Sequence, residues 1–506
     1  MSLLGIDVGQ TGCKVVIFSN YGDVLSSEYQ EHPLICPRDG WVEIDPNLIW
    51  NNIKNLIKTA NQKVKNDKVR AFSISCQGET FTPIDKNNDC LYNSVVSMDN
   101  RGKDYCKFWE NELGKEKIFH ITGMPLHPMY SINKMLWIKD NLKAVFKNTK
   151  KFLCFEDYLF MKFGLIPTID FSMAARTMAF DINSKNWSEE ILKSAKIDSS
   201  LLPQARHSGA VVGEISSKIA DELGLGKNVV GVTGGHDQAC GAFGSGIIEG
   251  KTAVNAIGTS DVLIPVLEKV CLSENMLKNN YCCYPYVLKD KFITLSLNLT
   301  GGLLLKWYRD TFCYEEKETA KSTGKDVYQI IDETIYGKPV NVFVLPHFIG
   351  SGTPCLDSNS RGLIIGLNLE TDKSRISKAI MESNAYENRL NIEKLESIGI
   401  VIKKLVAIGG GAKSSKWLQI KSNVTGKKIV TLNNKEAASL GAALLAGIAI
   451  GDFRSPENAV KATIHEKNVF TPDDKITAEY NKRYSIYKEI YSVNSDLLHK
   501  IAELDD

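Results

Sequence analysis

Two aspartates stand where glycine-rich strand ends would carry them into a cleft, one in a setting that suits a hydrated metal ion and one in a setting that suits a general base. Asp7 closes the apolar run Gly5-Ile6-Asp7-Val8 before Gly9-Gln10-Thr11-Gly12-Cys13-Lys14, and Val15, Val16, Ile17 and Phe18 resume the apolar pattern. This reads as a β-hairpin with a polar tip. Gly9 and Gly12 can take positive φ, so a tight turn would offer backbone N–H groups, the Thr11 hydroxyl and Lys14 to a nucleotide phosphate. An acid at that strand end suits a hydrated Mg²⁺; a solvated Asp on a glycine hairpin gives the same pattern. Asp237 follows Gly231-Val232-Thr233-Gly234-Gly235-His236 and precedes a small-residue run that begins a helix. Such an Asp is placed to act as general base, with helix capping as the alternative. His236 reads as a structural or supporting residue. Gln77, Glu79, Asp99 and Arg101 cluster after an apolar strand at 69–75 and offer donors and acceptors to a polyhydroxylated ligand; a surface turn with an Asp/Arg pair would look alike.

The elements that must position these residues follow from periodicity. Asp45-Pro46 with Ile49, Ile53, Leu56, Ile57, Ala60 and Val64 predicts an N-capped amphipathic helix. A turn at 85–89 precedes an expected strand over 91–97, residues 105–163 read as an all-helical insertion, and a helix starts near Trp187-Ser188. Residues 252–262 give a second strand, a Gly258-Thr259-Ser260 turn and a strand, echoing the first hairpin. Two such hairpins half a chain apart predict two related α/β halves closing on one nucleotide, with the boundary near residue 246. Later, 404–408 is a strand entering Gly409-Gly410-Gly411-Ala412, whose glycines allow close approach of a ring or ribose; a helix, a strand at 429–432 and a small-residue helix at 436–450 complete the half.

Composition narrows the partners. The 506 residues carry 61 basic and 59 acidic side chains, a formal charge of +2 without long runs of one sign, which argues against nucleic acid or an anionic membrane as partner. The twelve cysteines show no C-x-x-C spacing, so reduced thiols in a cytoplasm are expected. No stretch of about eighteen apolar residues occurs, and the chain enters its first strand by Leu3, so neither a membrane span nor a signal peptide is expected.

Taken in order, these motifs resemble the FGGY carbohydrate kinases, within the actin-like, ribonuclease-H-like ATPase superfamily, over nearly the whole chain. The 6–14 hairpin is similar to the family's first phosphate motif, and Gln77-Gly78-Glu79-Thr80 to the Gln-Arg-Glu-Thr of glycerol kinases. Ile121-Thr122-Gly123-Met124-Pro125 and Ala175-Arg176-Thr177-Met178 also resemble glycerol kinase segments. Gly235-His236-Asp237-Gln238 resembles the stretch bearing the catalytic Asp, Gly258-Thr259 the second phosphate turn, and Gly410-Gly411-Ala412 the adenosine loop. The resemblance implies an α/β fold of two actin-like domains closing on a central cleft, 1–245 binding sugar and 246–506 adenosine. It implies ATP and Mg²⁺ as cofactors, Asp237 as base, Asp7 at the metal, and Gln77, Gly78, Glu79, Asp99, Arg101 and Gln238 around the acceptor. Thr11, Gly12, Cys13, Lys14, Gly258, Thr259, Gly302, Lys306, Gly410, Gly411, Ala412 and Ser415 would surround the nucleotide, Lys306 and Ser415 standing where glycerol kinases carry Gln and Asn. A homodimer is compatible with the resemblance.

Departures bear on the acceptor. Gly78 replaces the Arg that grips glycerol in glycerol kinases, Met129 stands in place of a substrate-binding Tyr, and Ser97 in place of a Trp. A smaller wall predicts a ketose or polyol larger than glycerol, and the missing Met-His-Gly of typical xylulokinases leaves xylulose unassumed. Two other readings are a non-catalytic sugar- or nucleotide-binding regulator, against which both aspartates speak, and an assembly or chaperone ATPase, against which the 77–80 segment speaks.

Overall fold

The computed structural model describes residues 2–64 and 67–504. Its first sheet comprises β1 (Ser2–Val8), β2 (Gly12–Ser19), β3 (Val24–Glu31), β4 (Val69–Cys76), β5 (Val211–Glu214) and β6 (Val230–His236), in the order β5-β6-β4-β1-β2-β3. β1 and β2 form the expected hairpin, β1, β4 and β6 run parallel, and β5 is an antiparallel edge. Leu3, Leu4, Ile6 and Val8 of β1 are fully buried, as suits strands covered on both faces. Helix α1 (Pro46–Lys63) covers part of this sheet. Its Asp45 cap accepts from the Asn47 N–H, and Ile49, Ile53, Leu56, Ile57 and Ala60 face inward at the predicted spacing.

The second half repeats the plan. β7 (Thr252–Ile257) and β8 (Asp261–Leu267) form a hairpin, β7, β9 (Lys404–Ile408) and β10 (Lys428–Leu432) run parallel, and β11 (Glu466–Phe470) is an antiparallel edge. From either hairpin outward the sheets therefore have the same sequence of strand directions, the structural form of the echo between 5–18 and 252–262.

Helix α2 (Asp237–Gly244) leaves β6, α3 (Gly302–Phe312) starts beside the second hairpin, α4 (Ser415–Thr425) follows β9, α5 (Ala437–Ala449) follows β10, and α6 (Asp474–Ala502) comes last. Helix α5 lies far from where its sequence position suggests. It packs on α2 and against β1, β4 and β6 of the first sheet. Gly244 and Gly441 make this possible: a Cβ on Gly244 would strike the Ala437 carbonyl, and one on Gly441 the Cys240 carbonyl.

Two local expectations need correction. The 105–163 insertion is not all helical: helices Tyr105–Glu112, Lys115–Thr122, Ser131–Asn141, Lys143–Asn148 and Phe155–Lys162 are interrupted by the strand Lys151–Cys154, which pairs with Phe81–Ile84. The strand expected over 91–97 contracts to Ser94–Val95 in that same small sheet. Among the described residues no helix is long and apolar enough to cross a membrane, and all twelve cysteines are unpaired.

Candidate active site

Asp7 and Asp237 sit at the C-terminal ends of parallel strands on either side of β4, where open α/β sheets present their ligand crevice. The register sets Asp7 beside Ser75 and Gly235 on the other side of Ser75, so the two acids flank one strand end. Ser75 Oγ donates to Asp7 Oδ1 at 2.8 Å. Burial pushes the Asp7 carboxyl up to about 6, against the lowering effects of the Ser75 bond and Lys14. Asp237 is pushed up to about 7, first by burial and then by the charge of Asp7. Its side chain keeps 28% of its surface open, which leaves it reachable by a ligand. Asp237 is not a helix cap: His236 holds the cap position of α2 without a side-chain cap bond.

The two oxygens of Asp237 have unlike neighbours. Gln238 Nε2 donates to Oδ1 at 3.0 Å, and His236 Nε2 lies 3.3 Å from the same atom. Burial drives His236 well below its ordinary pKa, so the ring is neutral. Its Nδ1 is 2.9 Å from the Tyr284 hydroxyl. Two acceptors would repel at 3.3 Å, which assigns the proton to Nε2 and makes Nδ1 the acceptor of the Tyr284 O–H. His236 therefore belongs to the site, and Tyr284, invisible to local sequence reading, fixes its tautomer.

Glu79 is buried with φ +62 and is held by Arg176, whose guanidinium stacks over the rings of Tyr130 and Tyr284. A Cβ on Gly78 would come within 3.1 Å of the His236 ring and 3.2 Å of Arg176 Cγ. The room expected from Gly78 is thus already filled by His236 and Arg176. Gln77 Nε2 reaches the Gly9 carbonyl at 3.4 Å, while its Oε1 is buried without a partner. Asp99 and Arg101, expected to face a ligand, instead form a closed knot. Asp99 accepts from Val42 N, Arg101 N, Nε and Nη2, and Arg101 also reaches Glu43 and Tyr92 and stacks on Trp41 and Trp137. Their polar capacity is spent on holding that knot together.

The first hairpin turn closes with Gly9 N–H on the Gly12 carbonyl at 2.9 Å, and the second with Gly258 N–H on the Ser260 carbonyl at 2.9 Å. Neither Gly9 nor Gly12 has positive φ; a Cβ on Gly12 would meet only the outer end of the half-exposed Tyr29 ring. Thr11 is exposed at the tip, but Cys13 turns into the core, where burial pushes its thiol up to about 12. Lys14 pairs with Glu436, just before α5, at 2.7 Å. Gly301 and Gly302 donate to the Thr259 and Gly258 carbonyls at 2.8 and 2.7 Å, bringing the start of α3 against the second turn. Lys306, one turn on, is exposed and paired with Asp310. Gly410, Gly411 and Ala412 form a short 3-10 turn after β9, and Ser415 opens α4 with Ser414 as its cap. Below the second hairpin, Asp261 is buried with Lys421 and Asn255.

A one-carboxylate donor set fits Mg²⁺ that takes its other positions from water and phosphate. Asp7, desolvated and accepting one side-chain bond, is the acid there that a cation would relieve. Among the described residues no group of three or more His, Cys, Asp or Glu side chains could cage a metal.

Two topologically matched lobes, each opening on a glycine hairpin, with a carboxylate pair at the strand ends, define a two-domain kinase of the actin-like ATPase class. The N-terminal domain of the FGGY family of carbohydrate kinases matches residues 2–244 and the C-terminal domain residues 253–450. The chain belongs to that family. It is 28% identical to a xylulose kinase of Bacillus subtilis over 98% of this chain and 97% of the other. It is 32% identical to glycerol kinase 2 of Saccharolobus solfataricus, covering 96% of each chain. The crystal structure of a gluconate kinase from Lactobacillus acidophilus superposes with a TM-score of 0.90 at 25% identity over 99% of both chains. The protein is accordingly a phosphotransferase that moves a phosphoryl group from ATP to a hydroxyl of a small carbohydrate.

Proposed function

We propose that the acceptor is a ketose or polyol larger than glycerol, bound in the first lobe (1–245) beside Asp237, with the adenosine of ATP held by the second lobe (246–506). The observation that carries the reading is the unlike pair of Asp237 oxygens. With Oδ1 occupied by Gln238 and His236, Oδ2 is the free base. It takes the proton as the acceptor oxygen bonds to the γ-phosphorus, the bond from that phosphorus to the β,γ-bridging oxygen breaks, and ADP leaves with the electron pair. Gln77, Glu79 and Gln238 orient acceptor hydroxyls. The tips around Thr11 and Gly12 and around Gly258 and Thr259 hold the phosphates, with Lys14 released from Glu436 to join them. Gly302, Gly410, Gly411, Ala412 and Ser415 line the nucleoside side. Asp7 would hold Mg²⁺ directly or through water. When bound, that ion offsets charge on the transferring phosphoryl group.

The size of the acceptor is supported by relatives named for xylulose and gluconate, both longer than glycerol. It is not supported by an enlarged pocket at Gly78, which His236 fills. The balance of charge and the unpaired cysteines agree with a cytoplasmic setting. Coupled ADP release with MgATP across ketopentoses, ketohexoses, sugar acids, polyols and glycerol tests this. A ketose or longer polyol is expected to give the highest kcat/KM, and Asp237→Asn to lower turnover by about 10²–10⁴-fold with nucleotide binding retained. Preference for glycerol would refute the acceptor size, and unchanged turnover in Asp237→Asn would refute the base.

A further inference from the structure

The strand that delivers Asp237 is irregular. β6 runs beside β4 with Val232 opposite Ser73, but Gly235 stands opposite Ser75 and His236 opposite Cys76, so Thr233 and Gly234 share Ile74 as their one counterpart. This is a bulge of a single residue. Because side chains alternate along a strand, it reverses the face on which every later residue lies. Without the extra residue, His236 and the Asp237 that follows would leave the sheet on its opposite face. Gly234 fits the bulge only as glycine, since a Cβ there would strike the Ile74 carbonyl.

The bulge takes the Gly234 N–H out of the ladder with β4, and a side chain from the insertion accepts it. Glu156, on the helix Phe155–Lys162, is fully buried. Its Oε1 accepts from the Gly234 N–H at 2.8 Å, and its Oε2 from the Asp170 N–H at 2.7 Å. Asp170 Oδ1 in turn accepts from Ser172 Oγ at 3.0 Å, and Ser172 Oγ accepts from the His236 N–H at 2.9 Å. The Ser172 and Met173 N–H groups and the Ser208 hydroxyl fix the Asp170 carboxylate. One buried network therefore grips the bulge on either side of Gly235, which lies so close that a Cβ on it would come within 2.8 Å of Ser172 Oγ. Glu156 has no ion-pair partner among the described residues; the charges acting on it are those of Asp170 and Asp157. A buried carboxyl without a cation is costly, and its two oxygens are spent on two backbone N–H groups from separate segments.

We propose that Glu156 and Ser172 are positioning residues for phosphoryl transfer, holding the Gly234 and His236 N–H groups so that the bulge keeps the one register that aims Asp237 at the acceptor hydroxyl. The inference rests on Asp237 as the base. Ser172 secures the backbone of His236 as Tyr284 secures its ring. A carboxyl suits the other point because it presents two acceptors, whereas an amide in its place would turn an NH₂ donor against one of the two N–H groups.

The test is a double-mutant cycle on the full chain, with kcat measured on the best acceptor of the panel and MgADP affinity by calorimetry. Ser172→Ala and Glu156→Gln are each expected to lower kcat by about 10–10²-fold, as a misaimed reacting group does, with MgADP affinity unchanged. In the Asp237→Asn background, adding Ser172→Ala should change the residual turnover by less than about twofold, because no base is left to aim. Should Glu156→Gln fail to fold, Ser172→Ala decides alone. Unchanged kcat in Ser172→Ala overturns the proposal. So does a loss of equal size in both backgrounds, or a loss of MgADP affinity in step with kcat, either of which marks a merely structural role. Undiminished turnover in Asp237→Asn itself removes the base and this role together, and is told apart because it shows before Glu156 or Ser172 is altered.

Discussion

In the proposed mechanism the chemistry at Asp237 turns on which oxygen is free and when it is charged. Tyr284→Phe removes the hydroxyl that holds His236 with its proton on Nε2. The ring can then turn or change tautomer, and we expect kcat to fall about tenfold with the KM for ATP unchanged. A steady-state comparison with His236→Asn, which keeps a donor but loses the Tyr284 contact, checks this. Asp237 is pushed up to about 7 in the free protein, so kcat/KM for the acceptor should rise with pH through that value as the base loses its proton. Stability runs the opposite way. Asp7 and Asp237 both hold protons in the folded state more tightly than in the unfolded chain. Their contribution is therefore full below about pH 4 and lost as pH rises through about 6 and 7. Without metal or nucleotide, Tm is expected to fall over that interval, and Asp7→Asn with Asp237→Asn to flatten the decline in a thermal melt.

Among the elements, α2 and α5 cross backbone to backbone at glycines although they lie in different halves of the chain. Gly441→Ala places a methyl group on the Cys240 carbonyl and should cost about 1–3 kcal/mol. Gly241→Ala, in α2 where an added Cβ meets nothing within 4 Å, should leave stability unchanged or raise it by up to about 1 kcal/mol. Denaturant titration of the two variants separates a packing demand from a general intolerance of helix substitution. Elements with strong local signals were readable in advance: the two hairpins, the Asp45-Pro46 helix start and the Gly235-His236-Asp237 strand end. The two-residue strand Ser94–Val95 and the four-residue Lys151–Cys154 carry too few residues to display a period. Asp99 and Arg101 looked ligand-facing because Glu43, which completes their knot, lies 58 residues from Arg101. Arg176 and Tyr284 are brought to Glu79 and His236 by tertiary packing alone, and no spacing announces them.

For the molecule as a whole, Lys14 and Glu436 tie the first hairpin to the start of α5 across 422 residues of chain. The pair is partly exposed, at 31 and 22%, so its own contribution to stability is small. On the proposed role of Lys14 it matters through competition, because a triphosphate would have to displace the Glu436 carboxylate to reach the lysine. Glu436→Gln is expected to tighten ATP binding several-fold with little change in Tm, measured by calorimetry and a thermal melt.

Because α5 completes the face of the first sheet, the order in which the chain is made cannot be the order in which its cores are finished. When residue 245 leaves the ribosome, β1, β4 and β6 are all available, yet the helix that covers them is still about 200 residues away, about 10–40 s of translation at ordinary rates. During that wait an apolar sheet face stands open to solvent and to other nascent chains. A fragment ending at residue 245 should accordingly be insoluble when produced alone and recover on co-expression with 246–506. Holdase chaperones should be found on this chain early in its synthesis and leave it late.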